Sequence, residues 1–366
     1  MCIRDRIYVC SSSHGFGHAA RDAAVLQQLR RLRPDWCLVM SSRVSAGFLS
    51  LLLGDEHIEQ RPCRWDVGMV QADALGSDPS ATLIALAELD ARLPQQVQAE
   101  ASWIREQGRP VLILGDIPPA AAQLAEAVDA PLVWMSNFGW DEIYRPFGGA
   151  FELMAERALE SYRCGQLLLR CPFDLAMDWG LPEQRLDLVC SSPRPLPIVL
   201  QQTLEALDQP IIQVGFGGMG LDLDPQLFAH WPDHHFLMAC PPDPNTSARL
   251  AGIANLTLLP DGIRPLDAFP FCERHIGKPG FSTFSEALSL ELGLHVVERR
   301  DFAEVSALMQ GLIRHGHHRL LSRDQLTSGD WQLDRPLVPP EAEPLAADGA
   351  LQAAEQLIQL GESLCN

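Results

Sequence analysis

Short apolar segments alternate with longer helical segments along most of this chain. The segments RIYVC, CLVMSS and VLILGD each precede a loop and then a stretch rich in Ala and Leu, and PLVWMS begins another such unit. Strands that alternate with helices predict βαβ units, in which each helix joins two parallel strands. The alternation begins again with QPIIQVGFGGMG, HHFLMAC, NLTLLP, CERHIGKPG and LHVVERRD. The sequence therefore predicts an α/β fold with two Rossmann-like parallel sheets, one in each half of the chain.

A proline-rich stretch separates the two halves. Residues 191–200, SSPRPLPIVL, hold three prolines within five residues, which favours a linker. We therefore predict a first Rossmann-like domain over 7–190, a second over 198–335 and a C-terminal helix over 350–364. If two such domains face each other, the loops after their strands lie in the cleft between them.

Charge and cysteine usage exclude several classes of protein. The chain has 28 Lys and Arg against 47 Asp and Glu, so its net charge of −19 repels nucleic acid and anionic lipid surfaces. The ten cysteines form no C-x-x-C pair, which predicts reduced thiols and no zinc site. No apolar run reaches the roughly eighteen residues of a membrane span. We expect a cytoplasmic protein without stable membrane insertion.

The segment SSSHGFGHAARD, residues 11–22, joins the first predicted strand to the first predicted helix. Gly15 and Gly17 allow a tight turn, and His14 and His18 lie near the helix start, whose positive end disfavours imidazolium. A neutral imidazole of lowered pKa is a competent general base toward a hydroxyl group. We predict catalytic roles for both histidines, with His18 the stronger candidate. The alternative is that they cap and pack the turn.

Three further loops after predicted strands carry polar residues. LILGD ends in Asp116, which we predict to orient His18 as a carboxylate fixes the tautomer of a catalytic imidazole; a helix cap is the alternative. WDVGMVQADAL and SNFGWDEIY join carboxylates and amides with an aromatic ring, which suits a sugar-like acceptor, although a buried Trp is equally common. The predicted acceptor-binding residues are Gly15, Gly17, Asp66, Gln71, Asp73, Asn137, Trp140 and Asp141.

The segment IIQVGFGGMG, early in the second half, has G-x-G-x-x-G spacing directly after a strand. Such a loop allows backbone amides to approach a diphosphate. LDLDPQLF delays the next helix and so weakens a dinucleotide fingerprint. We predict that the loop contacts a nucleotide through Gly215, Gly217 and Gly218, with a plain tight turn as the alternative.

The segment HIGKPGFSTFSEALSLELG, residues 275–293, predicts a nucleotide site on one short element. Gly280, Ser282 and Thr283 form a small hydroxyl-bearing turn at a helix start, where amides and hydroxyls can hold a phosphate. Glu286 lies about one helical turn further, on the same side, and can accept from ribose hydroxyls. A capping box from Thr283 to Glu286 is the alternative.

Together these segments resemble a known family. The two-domain pattern resembles a GT-B glycosyltransferase, and HGFGHAARD, WDVGMVQADAL, SNFGWDEIY and GKPGFSTFSEAL resemble the glycosyltransferase-like N-terminal half of L-arabinokinase-type proteins and stand-alone bacterial relatives. The resemblance covers about residues 7–330. GKPGFSTFSEAL is also similar to the UDP-holding run of the peptidoglycan N-acetylglucosaminyltransferase, which implies nucleotide-sugar binding by Gly280, Thr283, Ser285 and Glu286.

The chain departs from these relatives at three points. Ser13 replaces the first glycine of their G-H-G-F-G-H run, and Ala20 stands where they commonly carry threonine. The sequence has no Gly-Leu-Ser-Ser phosphate loop, so we do not expect sugar-kinase activity.

The resemblance implies transfer of a sugar from a nucleotide-sugar, with UDP as the expected nucleotide, to an unknown acceptor. No cofactor or metal is expected, because helix dipoles and loop amides can stabilise a leaving diphosphate. Asp222 and Asp224 form a D-x-D string, but such strings are common in so acidic a chain. The alternatives are a nucleotide-sugar-binding or regulatory module without turnover and a nucleotide-sugar epimerase of the same fold.

Overall fold

The computed structural model describes residues 6–54, 56–71, 76–108, 111–217, 223–241, 243–299 and 302–363. Three candidate residues, Asp73, Gly218 and Asp222, lie outside these ranges.

The first half of the chain forms a fully parallel sheet. Within the described ranges its seven strands run in the order β3-β2-β1-β4-β5-β6-β7. They are β1 (Arg6–Ser11), β2 (Cys37–Ser41), β3 (Glu59–Arg61), β4 (Val111–Asp116), β5 (Leu132–Ser136), β6 (Leu167–Arg170) and β7 (Glu183–Arg185). The reversal of strand order beside β1 brings the ends of β1 and β4 together, with Ser11 opposite Asp116.

Helices cover both faces of this sheet. They are α1 (Gly17–Leu32), α2 (Ala46–Leu53), α3 (Pro79–Glu106), α4 (Ala121–Val128), α5 (Trp140–Tyr144) and α6 (Ala150–Tyr162). Alternate strand residues point to opposite faces, so each face has its own core. Helices α1 and α2 share a core with Val9 and Leu114, whereas α3 to α6 pack with Tyr8 and Ile113.

The second half forms another fully parallel sheet. Its six described strands run in the order β10-β9-β8-β11-β12-β13. They are β8 (Ile211–Gly215), β9 (His235–Ala239), β10 (Leu256–Leu259), β11 (Arg274–Gly277), β12 (Gly293–Val297) and β13 (His318–Leu321). Its helices are α7 (Ile198–Glu205), α8 (Pro244–Ala251), α9 (Pro265–Ala268), α10 (Phe281–Leu288), α11 (Glu304–His315) and α12 (Arg323–Ser328). The predicted α/β fold with two parallel sheets is thereby confirmed.

The last helix, α13 (Gly349–Ser363), packs against the first half of the molecule. Ala353, Ala354 and Leu357 share the core that contains α1. A Cβ at Gly361 would lie 2.8 Å from the Trp36 ring, so the small residue permits this close packing. The chain thus returns to the first sheet after completing the second.

Three short 3-10 helices complete the described elements: Arg145–Phe147, Pro225–His230 and Phe269–Phe271. In the described ranges, no helix combines the length and apolarity needed to cross a membrane.

Candidate active site

His18 is held by a carboxylate at the end of a neighbouring strand. It is the second residue of α1 and is buried, and its Nδ1 lies 2.8 Å from Asp116 Oδ1. Asp116 is the last residue of β4 and is fully buried. Helix α4 begins five residues later without a side-chain cap, so the alternative role of Asp116 as a helix cap is wrong. The sequence-based pairing of His18 with Asp116 is therefore present as a contact.

Arg21 completes this group and was not identified from the sequence. Its Nε donates to Asp116 Oδ2 at 2.5 Å, its Nη2 donates to Asp116 Oδ1, and its Nη1 donates to Asn137 Oδ1 at 2.7 Å. Burial alone would raise the pKa of Asp116, but the charges of Arg21 and His18 outweigh it and lower that pKa to about 2. Asp116 is therefore ionised at neutral pH. Burial and the charge of Asp116 raise the pKa of the neighbouring Asp22 well above its ordinary value.

The hydrogen bonds of His18 Nδ1 decide which nitrogen could act as a base. Asp116 Oδ1 lies 2.8 Å from Nδ1, and Arg21 Nη2 lies 3.1 Å from the same atom. If Nδ1 were unprotonated, its lone pair would face an ionised carboxylate oxygen at hydrogen-bond distance, which is repulsive. A protonated Nδ1 that donates to Asp116 is favoured, and the opposite nitrogen, Nε2, then carries the lone pair.

His14 lies in an aromatic environment before α1. Its ring stacks on Phe302 with centroids 5.8 Å apart and meets Trp140 edge to face at 5.3 Å. Burial, followed by nearby charges that include Arg299 and Lys278, lowers the pKa of His14 to about 3. A Cβ at Gly68, whose φ is +66°, would lie 2.5 Å from the His14 ring. His14 is thus neutral and tightly packed.

The start of α10 lies directly against the start of α1. Ser282 Oγ donates to the carbonyl oxygen of Gly17 at 2.8 Å, and a Cβ at Gly17 would lie 3.2 Å from Ser282 Oγ. Gly280 precedes α10 without a side-chain cap, so the alternative capping box from Thr283 to Glu286 is not formed. A Cβ at Gly280 would meet no atom within 4 Å, which leaves the approach to this helix end open.

One carboxyl group and two further hydroxyl groups follow along α10. Glu286 is half-buried, and burial raises its pKa to about 7 although Arg264 opposes the shift. Ser285 is fully buried, and its hydroxyl has no hydrogen-bond partner among the described residues. Thr283 is half-buried.

The glycine loop after β8 lies next to a lysine that precedes α10. Gly217 has a φ of +77°, and a Cβ there would lie 3.4 Å from Lys278 Cε. Gly215 ends β8 and pairs with Gly277 at the end of β11. Burial and the charge of Arg299 lower the pKa of Lys278 to about 8, so its ammonium group is still largely charged at pH 7.

The predicted acceptor residues separate into two groups. Asp66 and Trp140 are buried and bonded, with Trp140 Nε1 donating to Asp66 Oδ2 at 2.9 Å. Asn137 connects Arg21 to the second half of the molecule, because its Nδ2 donates to Glu304 Oε1 at 2.8 Å. Gly15, with a φ of +77°, lies at the turn before α1, next to Gly17.

Asp141 follows Trp140 in α5, but no side-chain hydrogen bond in the described part of the chain joins Asp141 or Gln71 to this group. Asp141 lies beside Trp179, and burial followed by the charge of Glu142 raises its pKa to about 6. Gln71 forms an isolated β-bridge with Ser77. The acceptor roles of both residues stay predictions.

Sequence reasoning missed several residues that the fold brings to the site: Arg21, Lys278, Arg299, Phe302 and Glu304. Two of them could have been recognised from their spacing in the sequence. Arg21 follows His18 by three residues, which places both on one face of a helix, and Lys278 precedes Gly280 by two. Glu304 could not be recognised in this way, because only the tertiary fold brings it to Asn137.

No group of three His, Cys, Asp or Glu side chains suited to a metal ion occurs in the described part of the chain. Asp224 of the D-x-D string accepts from the Gln226 amide at 2.9 Å and so caps a 3-10 helix. Metal independence stays a prediction.

One curated protein is similar in sequence to most of this chain. No protein-family model matches the chain. It is 26% identical over 336 residues to L-arabinokinase from Arabidopsis thaliana, a match that covers 87% of this chain and 31% of that protein. The chain thus spans about a third of the length of this curated relative.

Solved structures match over nearly the whole chain. One is UGT2 from Phytolacca americana, complexed with UDP-2fluoro-glucose and pterostilbene, with a TM-score of 0.62, 11% identity and coverage of 98% of this chain and 94% of that one. Another is MurG from Acinetobacter baumannii, with a TM-score of 0.50, 13% identity and coverage of 98% and 99%. The chain therefore has the GT-B fold of these solved structures, and it is similar in sequence to part of L-arabinokinase.

Proposed function

We propose that this protein transfers a sugar from a nucleotide-sugar, with UDP as the nucleotide, to a hydroxyl-bearing acceptor, without a metal ion. The observation that carries the proposal is the buried contact between His18 Nδ1 and Asp116 Oδ1, located where the starts of α1 and α10 meet. The UDP-2fluoro-glucose complex of the structurally similar UGT2 supports the choice of donor.

His18 is the proposed general base. With Nδ1 donating to Asp116, Nε2 takes the proton of the acceptor hydroxyl while that oxygen forms a bond to the anomeric carbon of the sugar. The bond from this carbon to the diphosphate breaks, and the electron pair leaves with the diphosphate. Asp116 stabilises the imidazolium that forms, and Arg21 keeps Asp116 ionised and in place.

The second half of the molecule is the proposed donor site. The free amides at the start of α10, the Gly217 loop and the Lys278 ammonium supply hydrogen bonds and positive charge for the diphosphate. Glu286, when ionised, accepts from the ribose hydroxyls. These groups can neutralise a leaving diphosphate without a bound cation.

A nucleotide-sugar-binding module without turnover is the second candidate. The distance of 3.1 Å between Arg21 Nη2 and His18 Nδ1 supports this candidate, because it allows a hydrogen bond between the two atoms. If Arg21 donated to Nδ1, the proton of the imidazole would lie on Nε2, and His18 could not accept a proton from the acceptor. The two candidates differ in turnover and not in binding.

The test combines binding with product release. UDP-, GDP- and ADP-sugars are titrated calorimetrically, and released nucleotide is then measured with and without a panel of hydroxyl acceptors. We expect acceptor-dependent release of UDP that is lost in His18→Ala and kept in His317→Ala, a control at an exposed histidine. Tight binding of a UDP-sugar with no release under any condition would select the binding module, and release unaffected by His18→Ala would refute the proposed base.

A further inference from the structure

A large cavity lies in the first half of the molecule, outside the cleft between the two sheets. Its volume is about 820 Å³, within the range of small-molecule sites. Residues of α3, α4 and α6 line it. Apolar lining residues include Leu86, Leu93, Ala122, Ala125 and Met154. The cavity can therefore hold an apolar body of considerable size.

An exposed ion pair connects α3 and α6. Asp90 of α3 and Arg157 of α6 both line the cavity, and Arg157 Nη1 lies 3.4 Å from Asp90 Oδ2. Because both side chains are more than half exposed, water screens this pair and it can open at little cost. The ion pair is therefore a weak barrier between the cavity and solvent.

The charges around the cavity favour a cation. Asp90, Glu126, Asp129 and Glu160 are exposed lining residues, and Arg157 is the one cation among the lining residues that the structure describes. An anionic ligand would meet an excess of negative charge at this rim. A positively charged or neutral ligand would not.

A buried carboxylate lies where the cavity adjoins the candidate active site. Asp66 lines the cavity, is 4% exposed, and its Oδ1 has no hydrogen-bond partner among the described residues. Its other oxygen accepts from Trp140, which also lines the cavity. Burial raises the pKa of Asp66, so a bound cation would offset the cost of its ionised form.

We propose that this cavity binds an amphipathic amine, with the apolar body of the ligand between α3, α4 and α6 and its protonated amine on Asp66. The site is separate from the nucleotide-sugar site at α10, and the inference does not rest on glycosyl transfer. Apolar lining residues, an acidic rim and a buried carboxylate with one unbonded oxygen are three features that this one ligand class satisfies.

Calorimetric titration with decylamine, decanoate and propylamine at pH 7 tests the proposal. Decylamine should bind at least tenfold more tightly than decanoate, which has the wrong charge, and than propylamine, which lacks the apolar body. Decanoate binding as tightly as decylamine would overturn the proposed ligand charge. Absence of decylamine binding at millimolar concentration would overturn the site.

Two matched variants distinguish decylamine binding in the cavity from nonspecific binding to an acidic surface. Gln123 is exposed on α4 and lines the cavity, whereas Gln95 is exposed on α3 and does not line it. Neither Gln123→Trp nor Gln95→Trp changes the net charge. Gln123→Trp should weaken decylamine binding at least tenfold by filling the cavity, and Gln95→Trp should leave it unchanged. Equal affinity in both variants would refute the location.

Asp66→Asn tests the contact with the amine. It should weaken decylamine binding and reduce the preference for decylamine over decanoate, with the fold checked by circular dichroism. An unchanged preference in a folded Asp66→Asn protein would show that Asp66 does not hold the amine.

Discussion

Replacing Asp116 with asparagine should lower the free energy of unfolding by about 3–5 kcal/mol, the cost of leaving a buried charge without its partner. Arg21 and Asp116 are at most 1% exposed, so neither water nor salt screens the pair. Asp116 accepts from both Arg21 Nε and Nη2. The substitution removes the negative charge but leaves the guanidinium in place.

A double-mutant cycle isolates this interaction. Arg21→Met removes the cation, and in Arg21→Met/Asp116→Asn neither charge remains buried. The double variant should be more stable than the sum of the two single losses predicts, by about 2–3 kcal/mol. Asp90→Asn and Arg157→Met form the control cycle, because this exposed Arg–Asp pair should give a coupling energy of about 0–1 kcal/mol.

Urea denaturation followed by tryptophan fluorescence measures both cycles, and acid titration gives a second readout. The pKa of Asp116 is lowered from 3.8 to about 2, so its stabilisation is complete above pH 3.8 and is lost as the pH falls toward 2. Asp116→Asn should lack this part of the acid dependence. A loss below about 1 kcal/mol in Asp116→Asn would refute the view that Asp116 compensates a buried Arg21 charge.

Three further predictions concern the chemistry. His18→Ala should reduce turnover about a hundred- to ten-thousandfold, while calorimetry finds UDP affinity unchanged. Affinity for UDP-glucose should rise as the pH passes the pKa of Glu286, about 7, because the ionised carboxylate is a stronger acceptor for the ribose hydroxyls than the neutral acid. It should fall again as the pH passes the pKa of Lys278, about 8, because the ammonium group loses its charge. Glu286→Gln should remove the rise and keep the fall, and a rise that persists in the variant would assign it to another group. Gly280→Asp should abolish UDP binding in calorimetry, because its carboxylate would occupy open space at the start of α10 and repel a diphosphate; retained affinity would place the diphosphate at another location.

The fold could be predicted from local sequence because its strands carry a strong local pattern. Parallel strands with helices on both faces are buried on both sides, so they appear as continuous apolar runs. VLILGD is such a run, and it ends in the residue that contacts His18. A polar residue that ends an apolar strand lies at the carboxyl edge of the sheet, which is why Asp116 could be found without a structure.

Arg21 and Glu304 could not be found in this way. An arginine in a helix that contains Arg30 and Arg31 is expected on the solvent face, yet Arg21 is 1% exposed. Its burial depends on Asp116 and Asn137, which are 95 and 116 residues away. Glu304 is 167 residues from Asn137. The contacts of Arg21 depend on the strand order within the first sheet, and the contact of Glu304 depends on how the two sheets are placed. No local pattern encodes either arrangement.

The predicted phosphate contacts at α10 also depend on this placement. Ser282 was predicted to hold a phosphate, but its single hydroxyl hydrogen is donated to the carbonyl oxygen of Gly17. In this arrangement the donors left for a diphosphate at this helix end are the backbone amides and Thr283. A nucleotide that requires the Ser282 hydroxyl as a donor must therefore compete for it with the carbonyl oxygen of Gly17.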